Sequence, residues 1–389
     1  MVNGQTMENY GLTSLYDLFG DLVILRNLAP VDKRLAPFRE VWQAIGLDSP
    51  RTPRKLEPAY ATTTVWFLHQ AQALYQPSSP IRELLFIGDT ALNDGNAYRN
   101  LARAGGWPGW AFIGSEKLGQ VPSHEVEVDN VYVANRWPAL GDWLAWVLAS
   151  GARCGPGTAV VIDMDKTAIG ARGRNSGVID GARIEGVRHT VAQLLGDAFD
   201  QPTFEAAYGE LNEPPYHPFT ADNQDYLAYI CLVLGAGLTD LSSLTDEISS
   251  GEMTSFDQFI RWADGQMASA PAGLQAIHRQ VYARVQAGDP TPFKAFRQSE
   301  YLSTVARFGY LAQDTPVERL LAEQICITQE VREAALWLRE RGCLLLTMSD
   351  KPDEATLPSP DLAARGYQPL HRLETTAVGF SVADQLARL

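Results

Sequence analysis

The stretch "GTAVVIDMDKTAIG", residues 157–170, sets four apolar residues, Ala159 to Ile162, directly against two acids, a lysine and a threonine. A short β-branched run bounded by glycines has the pattern of an interior strand of a parallel sheet, covered on both faces. Charge has no place inside such a strand. At its carboxyl end, however, the chain leaves the core for the crevice where α/β sheets bind ligands. The stretch therefore predicts a buried strand that delivers Asp163 and Asp165 to that exit. A spacing of two puts both acids on one side of an extended chain, so that one can hold a metal or substrate while the other moves protons. The alternative for this pattern alone is a solvated strand end with an Asp-rich turn.

Working outward, two more runs end in polar punctuation, "ELLFIGDT" at 83–90 and "CLLLTMSDKP" at 343–352. Weaker strand candidates are 21–27, 110–115 and 126–134, with helical patterns at 96–105 and 137–151 between them. Alternating strands and helices predict an α/β fold with a doubly wound parallel sheet. From 185 to 341 strand-like runs give way to amphipathic helices. "TPVERLLAEQI" opens with Thr315 as an N-cap, Pro316 at the first helical position and Glu318 closing a capping box. "TQEVREAALWLRERG" places Val331, Ala334, Ala335 and Leu338 on one face and stops at Gly342. The predicted organisation is a core of 1–184 and 342–389 interrupted by a helical insertion at 185–341.

The chain has 389 residues, 46% hydrophobic and 20% charged, with a formal net charge of -14. That balance argues against nucleic acid and anionic membrane surfaces as partners, and an acidic protein acting on an anionic substrate needs a local cation. No apolar run approaches the roughly 20 residues of a membrane helix. The start "MVNGQTMENYGLTS" lacks a secretory pattern, so the expectation is a cytoplasmic protein. The four cysteines form no CxxC pair, the six histidines fall singly, and no GxSxG is present, which leaves zinc sites, disulfide frameworks and serine hydrolases without support. The glycine-rich "GARGRNSG" at 170–177 lacks the order of a phosphate-wrapping loop and reads as a flexible turn.

Four motifs together resemble those of phosphatases in the haloacid dehalogenase superfamily. "DMDKT", from Asp163 to Thr167, matches the DxDxT signature. In "LLFIGDTALND", Gly88, Asp89 and Asp94 resemble the metal-binding motif. Ser349 before "DKP" is similar to the serine or threonine ahead of an NKP tripeptide, and Lys55 in "RKLEP" to the conserved-type lysine motif. Members usually run DxDxT, Ser/Thr, Lys, GD; here Lys55 and Asp89 come first, which is one cyclic rotation of that order. A circular permutation gives this order, since the same strands can pair in the same sheet when old ends lie close together.

The resemblance implies a Rossmann-like core with a helical cap insertion, and a Mg²⁺-dependent phosphomonoester hydrolase acting on a small phosphorylated molecule. Asp163 would be the nucleophile and Asp165 the general acid and base. Mg²⁺ would lie among Asp163, Asp165 through its backbone carbonyl, Asp89 and Asp94. Ser349, or Thr347 if the strand ends earlier, would bind a phosphoryl oxygen, and Lys55, or Lys351 without permutation, would balance charge. Thr167 would steady the loop. Arg172 and Arg174 are candidates for meeting the substrate, and Tyr216, His217 and Phe219 for lining its pocket. "DKTAIG" also resembles the DKTGT of ion-pumping ATPases, which would move the nucleophile to Asp165. A phosphotransferase or mutase using the same first half-reaction, and a non-catalytic binding protein on the same scaffold, remain the alternative functions.

Overall fold

The computed structural model describes residues 6–76, 78–270 and 272–389. Ten strands are found there: β1 (Glu8–Thr13), β2 (Val23–Ile24), β3 (Glu83–Gly88), β4 (Gly109–Gly114), β5 (His124–Glu127), β6 (Val131–Ala134), β7 (Thr158–Asp163), β8 (Ile327–Thr328), β9 (Leu344–Met348) and β10 (Thr375–Gly379). Seven form one sheet in the order β2-β9-β7-β3-β4-β6-β5, parallel except for the β5–β6 hairpin. The fold is α/β with a mostly parallel sheet, as the alternating pattern predicts.

Strands β3, β4, β7 and β9 are buried at every position, which is why their sequences are continuous apolar runs rather than alternating ones. Alternate residues serve opposite faces. Leu84, Phe86, Ala159, Val161, Leu344 and Leu346 pack in one cluster with Phe67 and Leu68 of helix Pro58–Tyr75 and Leu101 of helix Asn96–Gly105. On the other face Phe112 meets Trp137 and Trp143, with ring centroids 6.1 and 5.8 Å apart. Pro58 sits in the first turn of its helix, where a missing N–H costs nothing. Helix Asn96–Gly105 is stopped by Gly106 in the left-handed conformation. In helix Gln329–Glu340 the face of Val331, Ala334, Ala335 and Leu338 is buried as its spacing requires.

Four expectations are corrected. The run 126–134 is two strands, not one, because Asp129 and Asn130 take φ of 62° and 60° and turn the chain into a hairpin. A second sheet, β1-β10-β8, was not foreseen: β8 has two residues, and the β1–β10 register shifts between Asn9 and Leu12. The helix expected to cap at Thr315 begins at Val317, with Pro316 before it. The chain divides into two compact units, residues 1–181 with 304–389 and residues 182–303. The helical unit therefore ends at 303 rather than 341. Segment 304–341 returns to the core unit, where helix Val317–Glu323 and strand β8 pack with β10.

The helical unit has its own interior. Helix Gln224–Gly235 is buried from Leu227 to Leu234 on all sides, the pattern of a central helix. Beside it Arg297 pairs with Asp225 and Glu300, both at 2.6 Å. Phe219 stacks edge-on against Phe259, Tyr216 donates to Glu210 at 2.6 Å, and His217 lies 3.2 Å from the Asn212 carbonyl. The aromatic loop residues are thus engaged in packing and hydrogen bonds within this unit.

The hairpin gives a direct test. Asn130 adopts a conformation that costs β-branched residues about 1–2 kcal/mol, and its side chain donates to the Gly109 carbonyl at 3.0 Å. Asn130→Val should therefore lower stability by about 2–3 kcal/mol in chemical denaturation. Asn130→Gly, which relieves the backbone and loses only the hydrogen bond, should cost less than half of that.

Candidate functional site

Parallel pairing of β3 and β7, in register from Glu83↔Thr158 to Ile87↔Ile162, brings their carboxyl ends side by side. β7 closes on Asp163. The chain then bends, with Lys166 at φ 62° and the Ala168 amide donating back to the Asp163 carbonyl at 3.2 Å. Thr167, fully buried, donates to Asp163 Oδ2 at 3.3 Å. The expected loop-steadying role of Thr167 thus has a geometric basis.

β3 ends in Gly88, followed by Asp89 and a π-helical turn, Ala91–Gly95, that presents Asp94. Asp94 Oδ2 accepts from the amides of Asp89 and Thr90, both at 2.9 Å, and from the Thr90 hydroxyl at 3.0 Å. This close return explains the glycine, because a Cβ at position 88 would lie 2.6 Å from Asp94 Cβ. Thr90 was not singled out from sequence, although the "GDT" order carried the signal.

Lys55, just ahead of helix Pro58–Tyr75, reaches in with Nζ 2.7 Å from Asp163 Oδ1 and 2.5 Å from Asp94 Oδ1. Arg172 Nε donates to Asp89 Oδ2. Its backbone is fixed by three bonds: its amide donates to the Lys166 carbonyl, and its carbonyl accepts from the Glu116 amide and the Trp137 indole. Asp89, Asp94 and Asp163 each place a carboxylate oxygen within 4.8 Å of the others. All three are buried.

Such crowding shows in the acidities. Burial, against the pull of Lys55 and with the push of Asp94 and Asp89, lifts Asp163 well above the usual carboxylate range. Burial and the Asp94 charge raise Asp89 to about 7, although Arg172 works the other way. Burial alone would raise Asp94 too, but Lys55 and the donors around it bring it down to about 2. Burial disfavours a charged Lys55; Asp163 and Asp94 overcome this and hold it protonated. The donor set is entirely carboxylate oxygen, which suits a hard divalent cation.

β9 lies beside β7, in register from Ala159↔Leu344 to Asp163↔Met348, and carries Ser349 to the same edge. Ser349 Oγ donates to Asp165 Oδ2 at 2.6 Å and accepts from the Lys351 amide at 2.9 Å. The Thr347 hydroxyl instead donates to the Ile162 carbonyl at 2.8 Å inside the sheet. Lys351 Nζ faces Thr304 Oγ1 at 3.4 Å, while Lys55 is the lysine at Asp163. Asp165 stands apart from the three-carboxylate cluster, partnered by Ser349.

Arg174 is a correction. Rather than facing a substrate, it is 3% exposed and pairs with Glu116 at 2.6 Å and Glu330 at 2.8 Å, themselves 1% and 0% exposed. Two buried carboxylates fix its fork, and Glu330 also accepts from the Phe380 amide at 3.2 Å. Its role in the fold is to fasten the loop after β7. The chain matches no protein-family model, no curated protein and no solved structure.

The charge balance at the cluster yields a prediction. Lys55→Met removes a buried cation from two carboxylates and should destabilise the metal-free protein by about 3–5 kcal/mol. Mg²⁺ should raise the melting temperature, with a stabilisation of about 2.7 kcal/mol at one hundred times its dissociation constant, and Asp89→Asn should blunt that gain. A melting curve unmoved over a wide Mg²⁺ titration counts against a metal at these carboxylates.

Proposed function

We propose that the protein is a Mg²⁺-dependent phosphomonoester hydrolase of the haloacid dehalogenase type, with its motifs in circularly permuted order, acting through an aspartyl phosphate on Asp163. The carrying observation is that Lys55, Asp89, Asp94 and Asp163, from three separated segments, meet at the ends of adjacent parallel strands, with Ser349 arriving on the next strand. A rotated motif order demands this convergence. The helical unit at 182–303 falls between β7 and β9 in sequence, the position a cap insertion occupies.

In this reading Asp163 attacks phosphorus: a bond forms from its carboxylate oxygen to phosphorus, and the ester P–O bond breaks. Asp165 gives a proton to the leaving oxygen. Its carboxylate then takes a proton from water, which attacks phosphorus and releases inorganic phosphate from Asp163. The hydrogen bond from Ser349 holds Asp165 at the strand exit until the substrate claims that hydroxyl for a phosphoryl oxygen. Lys55, 2.7 Å from Asp163 Oδ1, favours the ionised form of the attacking carboxylate against the opposing effect of burial and offsets charge in the transition state. Mg²⁺, held by Asp89, Asp94 and Asp163, would neutralise carboxylate crowding and orient the phosphate. The substrate is a small phosphorylated molecule.

The two acids of the first strand should fail differently. Asp163→Asn should abolish turnover and covalent phosphorylation. Asp165→Asn should slow turnover by about 10²–10⁴-fold, yet still accept phosphate from an activated aryl ester, whose leaving group departs without a proton. Mass spectrometry after mixing should show a phosphoryl adduct on Asp165→Asn and none on Asp163→Asn. An adduct on the Asp163 variant would transfer the nucleophile's role to Asp165. Neither turnover nor adduct in the unaltered protein, across a broad panel of phosphomonoesters with Mg²⁺, would favour a binding scaffold instead.

A further inference from the structure

The opposite end of the same sheet holds a cavity of about 620 Å³ between the amino-terminal ends of β3, β4 and β7. At about 3.3 Å per residue, the six-residue strands place it roughly 20 Å from the carboxylate cluster. Its volume falls within the range of about 300–1,000 Å³ typical of small-molecule sites. Trp110, Pro80, Pro108 and Pro156 give it apolar walls, and Arg82 and Arg153 stand at it with exposed side chains. Neither guanidinium has a carboxylate partner among the described residues, in a chain whose net charge is -14.

The one acid among the described lining residues, Glu83, is turned inward. Its carboxylate accepts from the amides of Arg153 at 3.1 Å and Cys154 at 2.9 Å, and from the Thr158 hydroxyl at 2.5 Å. Those bonds fix the 153–158 turn as a rigid wall. Three more reinforce it: the Gly155 amide donates to Thr158 Oγ1 at 2.9 Å, the Arg82 amide to the Gly157 carbonyl at 2.8 Å, and Arg341 Nε to the Cys154 carbonyl at 3.2 Å. A Cβ at Gly157 would press on the Pro80 carbonyl oxygen at 3.3 Å and meet the Arg82 stem at ordinary contact distance, 3.7 Å. Burial of Glu83 against backbone donors thus leaves the cavity surface cationic, and the turn is formed before any ligand arrives.

We propose that this cavity is a second ligand site, taking a small anion with a flat apolar body: the anionic group on Arg82 and Arg153, the body against Trp110 and the prolines. Guanidinium forks match phosphate and carboxylate oxygens two at a time, and the exposed Pro80, Pro108 and Pro156 offer apolar contact beside Trp110, which is itself 6% exposed. The site does not depend on the reading of Asp163, so turnover and binding here report on separate claims.

Adenosine monophosphate (AMP) is a suitable probe, used with the full chain in EDTA and read by hydrogen–deuterium exchange. AMP should slow exchange in peptides covering 79–84 and 150–158, with adenosine alone and inorganic phosphate alone giving little protection at the same concentration. The double variant Arg82→Ala/Arg153→Ala should bind AMP at least about tenfold more weakly, with exchange elsewhere and phosphomonoester turnover unchanged. Should that variant unfold, Arg153→Gln, which keeps the backbone bonds to Glu83, carries the same comparison. The proposal is overturned by protection confined to 88–95 and 163–172, by equal effects of adenosine and AMP, by unaltered affinity in the variants, or by no protection at millimolar AMP.

Discussion

Three carboxylates, each within 4.8 Å of the others and all buried, are tolerable only because two cations and a ring of donors are built around them. The architecture answers to that constraint. Parallel β3 and β7 must end level with one another, which their register ensures. Gly88 must lack a side chain so that Asp94 can fold back beneath its own strand end. The π-helical turn supplies the extra residue that aims Asp94 inward, a local irregularity of the kind found at functional sites. Helix Pro58–Tyr75 must pack on the sheet closely enough for Lys55, just before it, to reach both Asp94 and Asp163. A cluster so crowded with like charge is costly to bury, and apolar residues would fill the same space at lower cost.

Much of this was legible in the sequence because parallel strands covered on both faces write their position as unbroken apolar runs, and β3, β7 and β9 all do so. Charges at the ends of such runs stand out, and Asp89, Asp163 and Ser349 were found that way. What remained hidden depended on distant partners. Arg174 follows a glycine in a loop, which makes it a candidate for meeting a substrate; only Glu116, 58 residues before it, and Glu330, 156 residues after it, make it interior. The small sheet was illegible for a similar reason, because two-residue β8 owes its existence to β10. The boundary at 303 was missed because helices of the core unit and of the helical unit share one amphipathic pattern, and periodicity reports a covered face without naming what covers it.

The same logic separates fixed from adaptable parts of the molecule. Thr347 and Ser349, two positions apart, differ in fate because one hydroxyl is consumed by the sheet and the other emerges past its end. Position relative to the strand terminus thus decides whether a hydroxyl is bonded within the sheet or reaches a side chain beyond it. At the other end of β3, Glu83 is spent on fixing a turn, whereas Asp89 of the same strand's exit is held by an arginine side chain.

The pairing of β7 with β9 joins residues about 185 positions apart, with the helical unit between them. On a ribosome, β7 therefore emerges long before its neighbour exists. During that interval one edge is covered by β3 while the other exposes a row of unsatisfied backbone groups on a strand with four consecutive apolar residues. Chains stalled or truncated between 164 and 343 would carry this uncapped edge. The helical unit, with a core of its own, can condense meanwhile. The late arrival of β9 closes the sheet and carries Ser349 to Asp165, so one docking step both seals an aggregation-prone edge and completes the site.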